Sequence, residues 1–349
     1  MAKIQPQFEE FHKTIKLDAK DKAFLIEKKE IIKKAILDYF AKKNEDEKID
    51  PPITVTFFDQ GSYAMHTGVY PVSEYEDYDL DLGVSLSICN DDYKPMEVKQ
   101  WIWDAVYRPP VRIPEHKKPC VRVQYIEDGL PFFHIDIATY ADPSLNSGDC
   151  HHLARGTKTC NENDKKWEES SPTKVKNLIN GWSNDEDKRA QFRRAIRDMK
   201  RWKDNNFDAG DGRPTGIAIT ALANNGFVCC FEKDRFTGNE KPVDGQALLD
   251  FTIYILNQFD PITGKISVAL PVPPGNDLFA KFEDKHHAAF KKSLVRLRDA
   301  LDFAINDTTD PHEACKRLEE EFGKDFPVPP KEQTARVGAP AIVGSNESA

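Results

Sequence analysis

No run of apolar residues in this 349-residue chain approaches the length that crosses a bilayer. Residues 1–11 lack the apolar core of a signal peptide. A membrane association is therefore not expected, and the cytoplasm is the expected compartment. Disulfide chemistry is poorly supplied as well. The seven cysteines are an odd count with no tight framework, which fits a reducing environment. Positive charge is also in deficit: 49 Lys and Arg face 58 Asp and Glu, for a net charge of −9. A broad footprint on a long nucleic acid demands a basic surface, so such a partner is not expected. No internal repeat is present. What remains, 39% hydrophobic and 31% charged residues, is the composition of a soluble globular protein with one large or two intimately joined domains.

Against this background one constellation stands out. Asp79 and Asp81 alternate with Tyr78, Leu80 and Leu82, the period-2 pattern of a strand with one buried face. Residues i and i+2 of a strand point the same way, so both carboxylates project from one side. Like charges so close repel unless a hard divalent cation with oxygen ligands offsets them. Asp136, in the β-prone run Phe133-His134-Ile135-Asp136-Ile137, is placed to bring a third carboxylate to the same cluster. Gly61-Ser62 follows another strand-like run and offers a small turn that triphosphate oxygens can approach closely. Three strand-borne aspartates beside such a turn point to two-metal phosphoryl transfer with Mg2+ or Mn2+, on nucleoside triphosphates. Lys200 and Lys203, on a long basic helix, are the cations available for the far end of the triphosphate.

The coarse organisation is α+β. Residues 18–43 read as an amphipathic helix with Phe24, Leu25, Ile31, Ile32, Ile36, Leu37 and Phe40 as its stripe. Strands are expected at 53–58, around 78–82, at 120–126 and at 132–140, the last two joined by the turn 127–129, with a short helix at 99–106. Residues 142–185 read as irregular. Helices are then expected at 186–203, 214–222, 247–259, 284–305 and 312–322. The expected division is a mixed-sheet nucleotidyltransferase core with its N-terminal helix over 1–185, a helical lobe over 186–328 and a flexible tail over 329–349, with the active site in the cleft between the lobes.

Gln60-Gly61-Ser62-Tyr63, Asp79-Leu80-Asp81 and Asp136 resemble the signature of the polymerase-β-like nucleotidyltransferases. Within that superfamily the chain most resembles the bacterial cGAS/DncV-like nucleotidyltransferases, which make cyclic oligonucleotide second messengers in anti-phage defence. Val121-Arg122-Val123, the helix ending Lys200-Arg201-Trp202-Lys203-Asp204, and Phe322-Gly323 with Phe326-Pro327 extend the likeness over most of the chain. The interval between Ser62 and Asp79, with its acidic segment 74–77, is longer than the minimal superfamily pattern. The resemblance implies that Asp79, Asp81 and Asp136 hold two metal ions, and that Asp136 also orients or deprotonates the attacking hydroxyl. It implies Gln60 and Ser62 on the donor triphosphate, Lys200 and Thr215 on its phosphates, and Arg122 near the acceptor nucleotide. ATP and a second nucleoside triphosphate are the implied substrates, and a nucleotide-gated effector is the implied downstream partner. A ubiquitin-transfer-like partner acting on the C-terminal Ala349 is a further implication.

Other clusters carry less. Cys150-His151-His152 with Cys160 lacks a paired Cys-x-x-Cys, so a structural zinc is not expected. His286-His287 has no partnering ligands in sequence. Cys229 and Cys230 read as buried small apolar residues. The basic residues Lys188, Arg189, Arg193, Arg194, Arg197 and Arg201 read as a long solvated face that partly lines the nucleotide pocket. Two alternatives stay open: a transferase adding single nucleotides to an RNA, antibiotic or protein, and a catalytically inactive nucleotide- or RNA-binding module.

Overall fold

In the computed structural model, residues 2–17, 19–72, 78–127, 130–144, 151–210, 212–233 and 238–331 are described. The acidic segment 74–77, turn residues 128–129, Cys150 and the tail from 332 to Ala349 lie outside them. Two helices open the chain, α1 (Gln5–Ile15) and α2 (Ala19–Glu47). They are followed by β1 (Val55–Asp59), the single-turn α3 (Gly61–Ala64), β2 (Tyr78–Leu86) and α4 (Pro95–Val106). Next come β3 (Glu115–His116), β4 (Val121–Glu127), β5 (Leu130–Ala141), β6 (His151–Arg155) and β7 (Lys166–Ser170).

These strands form one mixed sheet in the order β1-β2-β5-β4-β3, with β6 pairing β5 and β7 pairing β6. β2 and β5 run parallel, with Leu80 beside Ile135, Asp81 beside Asp136 and Leu82 beside Ile137. The alternation thus sorts the sheet into two chemical faces. Leu80, Leu82, Val84, Ile135 and Ile137 turn inward with Leu25, Ile32, Ile36 and Phe40 of α2 and Ile102 of α4, all essentially buried. The aspartates face the other way. On α2 the inward stripe is narrower than its hydrophobic residues suggest. Ile31 and Leu37 are exposed, while Lys29 is buried to reach Asp59 at 2.7 Å.

The second lobe is helical: α5 (Pro172–Asn180), α6 (Glu186–Asn206), α7 (Gly216–Gly226), the small hairpin β8 (Phe231–Lys233) and β9 (Glu240–Pro242), α8 (Asp244–Leu256), α9 (Asp284–Asp302) and α10 (Pro311–Phe322). Asp185 caps α6 by accepting hydrogen bonds from the backbone of Asp187 and Lys188. Trp202 of α6 is fully buried at the centre of this core.

Packing draws the boundary between the lobes differently from the sequence. Helix α1, which the periodicity did not single out, inserts Phe8, Phe11 and Ile15 into the helical-lobe core. Phe11 packs 5.2 Å from Phe322 and Phe8 packs 5.2 Å from Phe326. Val175 and Ile179 of α5 join the same core. Within 142–185, residues 151–185 also hold more regular structure than their polar composition suggests. Strands β6 and β7 sit there because a two-strand edge ladder needs few apolar residues, and α5 begins at Pro172, a residue suited to the first helical turn.

Candidate active site

The acidic half of the site is set by strand geometry. Asp79 and Asp81 share a face of β2, and the in-register parallel pairing puts Asp136 of β5 beside Asp81. Asp79 is exposed, whereas Asp81 lies deeper. Burial, then the neighbouring charges of Asp79 and Asp136, push the Asp81 carboxyl well above its ordinary pKa, against the smaller opposing pull of Lys200 and Arg122. Asp136 is gripped by Arg122 of β4 in a bidentate pair, both contacts 2.8 Å.

The turn entering α3 presses directly on this cluster. Gly61 has φ +66, and a Cβ on it would fall 1.7 Å from Asp81 Oδ2, so only glycine lets the backbone approach so closely. Its neighbour Gln60 is nearly buried, and its side-chain carbonyl accepts a 2.8 Å hydrogen bond from the Tyr140 hydroxyl. The Ser62 carbonyl accepts from Thr67 N at 2.9 Å and closes the turn.

Cations come from the helical lobe. Lys200 of α6 donates to Thr67 O at 3.0 Å and to Thr67 Oγ1 at 3.2 Å, which ties α6 to the turn segment. Burial, together with Lys203, draws the Lys200 amine down to about 8, with Asp79 and Asp204 pulling the other way. Lys203 and Arg213 both pair with Asp204. The Thr215 hydroxyl caps α7 by accepting from Ala218 N at 3.3 Å.

These groups meet across one cleft of about 810 Å³, within the range of small-molecule pockets. Gln60, Gly61, Ser62, Asp79, Asp81, Arg122, Lys200, Lys203 and Thr215 all line it. Asp136 is not a lining side chain; the Arg122 that grips it is. Among the described residues no three His, Cys, Asp or Glu side chains converge tightly enough to form a closed ligand set. The donor chemistry nevertheless fits a hard divalent cation. The donors are carboxylate oxygens only, they repel one another, and Arg122 already supplies part of the compensation Asp136 requires.

Sequence reasoning missed Tyr140, His134, Lys176 and Arg213, which also line the cleft. Tyr140 was findable, because it lies four residues after Asp136 on the same strand face. Arg213 and Lys176 left no comparable signal, since nothing local distinguishes them from surface cations.

The basic stretch of α6 needs a correction: apart from the exposed Lys188 it is not a solvated face. Arg197 and Arg201 are buried, Arg194 pairs bidentately with Asp244 at 2.9 and 3.0 Å, and Arg201 pairs with Asp325. Burial is possible because each guanidinium meets a carboxylate or carbonyl from another element. Cys229 and Cys230, expected to be buried, are only half-buried, because they end the short loop that leads into β8. His151 faces Asp142 at 3.2 Å and stacks on Phe58, while Cys160 closes a turn with Thr157. His286 completes a capping box at the start of α9, and His287 accepts from Ile266 N.

A mixed sheet with paired aspartates over a Gly-Ser turn, facing a cation-bearing helix, is the arrangement that nucleotidyl transfer requires. Residues 55–140 match the family described as cyclic GMP-AMP synthase DncV-like, nucleotidyltransferase domain. A cyclic GMP-AMP synthase of Escherichia albertii is 28% identical over 181 residues. That match covers 50% of this chain and only 37% of that protein. The fold is shared with Vibrio cholerae DncV in its GTP-bound form at TM-score 0.70 and 19% identity, covering 92% of this chain and 96% of that one. The same enzyme bound to its linear intermediate 5′ pppA(3′,5′)pG superposes at TM-score 0.69 and 20% identity, covering 92% and 97%. Residues 55–140 are thus similar to a DncV-like nucleotidyltransferase domain, the chain shares the DncV fold, and the match to the curated relative spans well under half of that protein's length. Among its described residues no helix is long and apolar enough to cross a membrane.

Proposed function

We propose that this protein joins ribonucleoside triphosphates, ATP and a second nucleotide, into a cyclic di- or trinucleotide and releases pyrophosphate. The observation that carries this reading is the opposition, across one cleft, of strand-borne carboxylates and the cations Lys200, Lys203 and Arg213. The relatives support the choice of reaction, since they include a cyclic GMP-AMP synthase and a synthase holding a linear dinucleotide intermediate.

Asp79, Asp81 and Asp136 would hold magnesium or manganese, which when bound supplies Lewis acidity at the triphosphate and at the attacking hydroxyl. The chain's own residues do the rest. Gly61 and Ser62 let the triphosphate lie against the turn, and Gln60, its carbonyl committed to Tyr140, turns its amide nitrogen to the donor. Lys200, anchored on Thr67, meets the negative charge that grows on the leaving pyrophosphate, with Lys203 and Arg213 beyond it. Thr215 adds a hydroxyl at the same end. Arg122 fixes Asp136 in one orientation, from which the carboxylate accepts the proton of the attacking hydroxyl, and it offers a cation to the acceptor nucleotide.

By the same reading the product is a second messenger of bacterial anti-phage defence, made in the cytoplasm and detected by a nucleotide-gated effector. The test is incubation with all four triphosphates and magnesium and no acceptor. A phosphatase-resistant cyclic product is expected. Strict dependence on an added RNA, antibiotic or protein acceptor would overturn the assignment, and loss of all turnover would favour a nucleotide-binding module.

A further inference from the structure

The active cleft is chemically divided. One part carries the charges: Asp79, Asp81 and Arg122 on the sheet side, with Lys200, Lys203 and Arg213 opposite. Another part of the same cleft of about 810 Å³ is apolar, lined by Met65, Val69, Tyr70, Pro71, Val175 and Ile217. Met65 and Val175 belong to the helical-lobe core, and Val69 and Ile217 pack against it, so that core opens into the cleft here. A nucleotide whose triphosphate lies on Gly61, Ser62 and Lys200 finds in this apolar part a place for its base. Tyr70, half-buried, adds an aromatic ring of the kind on which a base stacks.

One cation comes to the cleft from the apolar wall itself. Lys176 follows Val175 on α5 and lines the cleft beside it. On that helix Val175 and Ile179 turn into the core. Lys176 and Asn180, four residues apart, share a face turned to the active-site turn, where the Asn180 amide donates to Ala64 O at 3.0 Å. The other cations of the cleft are engaged: Arg122 by Asp136, Lys200 by Thr67, and Lys203 and Arg213 by Asp204. Half-buried Lys176 has no hydrogen-bond or ion-pair partner among the described residues.

The chemistry of that amine limits what it reads. An ammonium group donates three hydrogen bonds and accepts none, so toward the edge of a base it needs acceptors alone. Guanine presents O6 and N7 side by side, and uracil presents O4. Adenine and cytosine carry an amino group, itself a donor, where these bases carry the carbonyl. The triphosphate, by contrast, already has Lys200, Lys203 and Arg213 at the charged part of the cleft.

We propose that Lys176 is a specificity-determining residue, which reads the base of the second nucleotide and selects a carbonyl-bearing base, guanine or uracil, over its amino-bearing counterpart. The inference rests on the reading of the cleft as a nucleoside-triphosphate site, and it narrows the second substrate to GTP or UTP.

The test is calorimetric binding of the non-transferable α,β-methylene analogues of all four triphosphates, with Mg2+, to the full chain and to Lys176 variants. Lys176→Met should weaken the GTP or the UTP analogue by about tenfold or more and leave the ATP and CTP analogues within about twofold. Whichever analogue weakens identifies the base. Lys176→Arg, which keeps length and charge, should retain the wild-type preference. Lys176→Glu turns the donor into an acceptor and should shift the preference toward the amino counterpart, ATP for GTP or CTP for UTP. Equal weakening of all four analogues in Lys176→Met would place the amine on phosphate and overturn the proposal. So would affinities that no Lys176 variant changes. Failure of every analogue to bind wild type would overturn the proposal together with the nucleotide reading beneath it. A preference that depends on Lys176, in a protein that forms no cyclic product, would uphold the proposal and overturn only the proposed reaction.

Discussion

The two sides of the active cleft are held by different physics. On the sheet side, Asp79, Asp81 and Asp136 owe their places to a backbone ladder: the parallel register of β2 and β5 sets their spacing before any side chain is considered. On the helix side, Lys200 is held by Thr67 of the turn segment, while Lys203 and, from the loop after α6, Arg213 converge on Asp204. A ladder repeats a simple period, and so it can be read locally. A network of tertiary ion pairs has no period. It also couples the site to distant parts of the fold, because moving any partner moves the cation.

The sharpest way to test that contrast is to remove charge from each side separately. Asp81→Asn keeps the volume and leaves the β2–β5 ladder untouched. It should lower nucleotidyl transfer by about 10²–10³-fold, the scale of losing one fixed stabiliser of developing charge. Since burial and two like charges already disfavour the ionised Asp81, the variant should melt no lower than wild type. A lower melting temperature would show that the carboxylate is structural. Lys200→Met should have the next largest effect. It removes a charge-assisted contact of about 1.5–3 kcal/mol, read as a rise in KM for the triphosphate of roughly ten- to a hundredfold. It also leaves Thr67 without its donor, so the turn itself should loosen, measurable as faster amide exchange at residues 61–68. An unchanged exchange rate would mean that the turn does not depend on the helix.

The same contrast explains what the sequence disclosed. The acidic half was legible because Tyr78 to Leu82 alternate cleanly and Gly61-Ser62 precedes them. The fold around it was legible for the long helices and central strands. Helix α1 escaped notice because its three inward residues, Phe8, Phe11 and Ile15, are few among polar neighbours, and their burial depends on Phe322 and Phe326 some three hundred residues later. The arginines of α6 looked like a solvated face for a similar reason. Nothing within the helix announces Asp244 or Asp325. Lys200 and Lys203 were indicated by the long basic helix and Thr215 by family resemblance, while Thr67, the partner of Lys200, was announced by nothing local.

That hidden network has a pH signature of its own. His12 of α1 lies between two buried carboxylates, Asp198 at 2.9 Å and Asp244 at 3.3 Å. Burial alone would lower its pKa, but the two carboxylates together raise it above 6.5. The folded state therefore favours charged His12. The stabilisation is fully present below pH 6.5 and is lost as the pH rises through the raised folded value. Thermal melts of wild type should accordingly decline across that window. His12→Gln should flatten the decline and cost about 1–3 kcal/mol at pH 6, the range for leaving buried acceptors underpaired. A decline of equal steepness in the variant would place the pH sensitivity elsewhere.

Thr215 belongs to both sides of the contrast, since its hydroxyl caps α7 while its side chain lines the cleft. The smallest predicted effect separates these roles. Thr215→Ala should cost about 1 kcal/mol through the lost cap, and Thr215→Ser should restore it. Thr215→Asp keeps a good cap, because an aspartate oxygen accepts the Ala218 N–H equally well and suits the positive end of a helix. It also places a negative charge where the triphosphate must lie. Stability near wild type with a KM several-fold higher is the expected result, the scale of about 1 kcal/mol of charge repulsion. If Thr215→Asp lowers stability and leaves KM alone, Thr215 is a helix cap and nothing more, and the phosphates lie farther toward Lys203 and Arg213. The pair of measurements therefore fixes which end of the helix side receives the triphosphate, a question that the strand-borne aspartates, identical in either case, do not address.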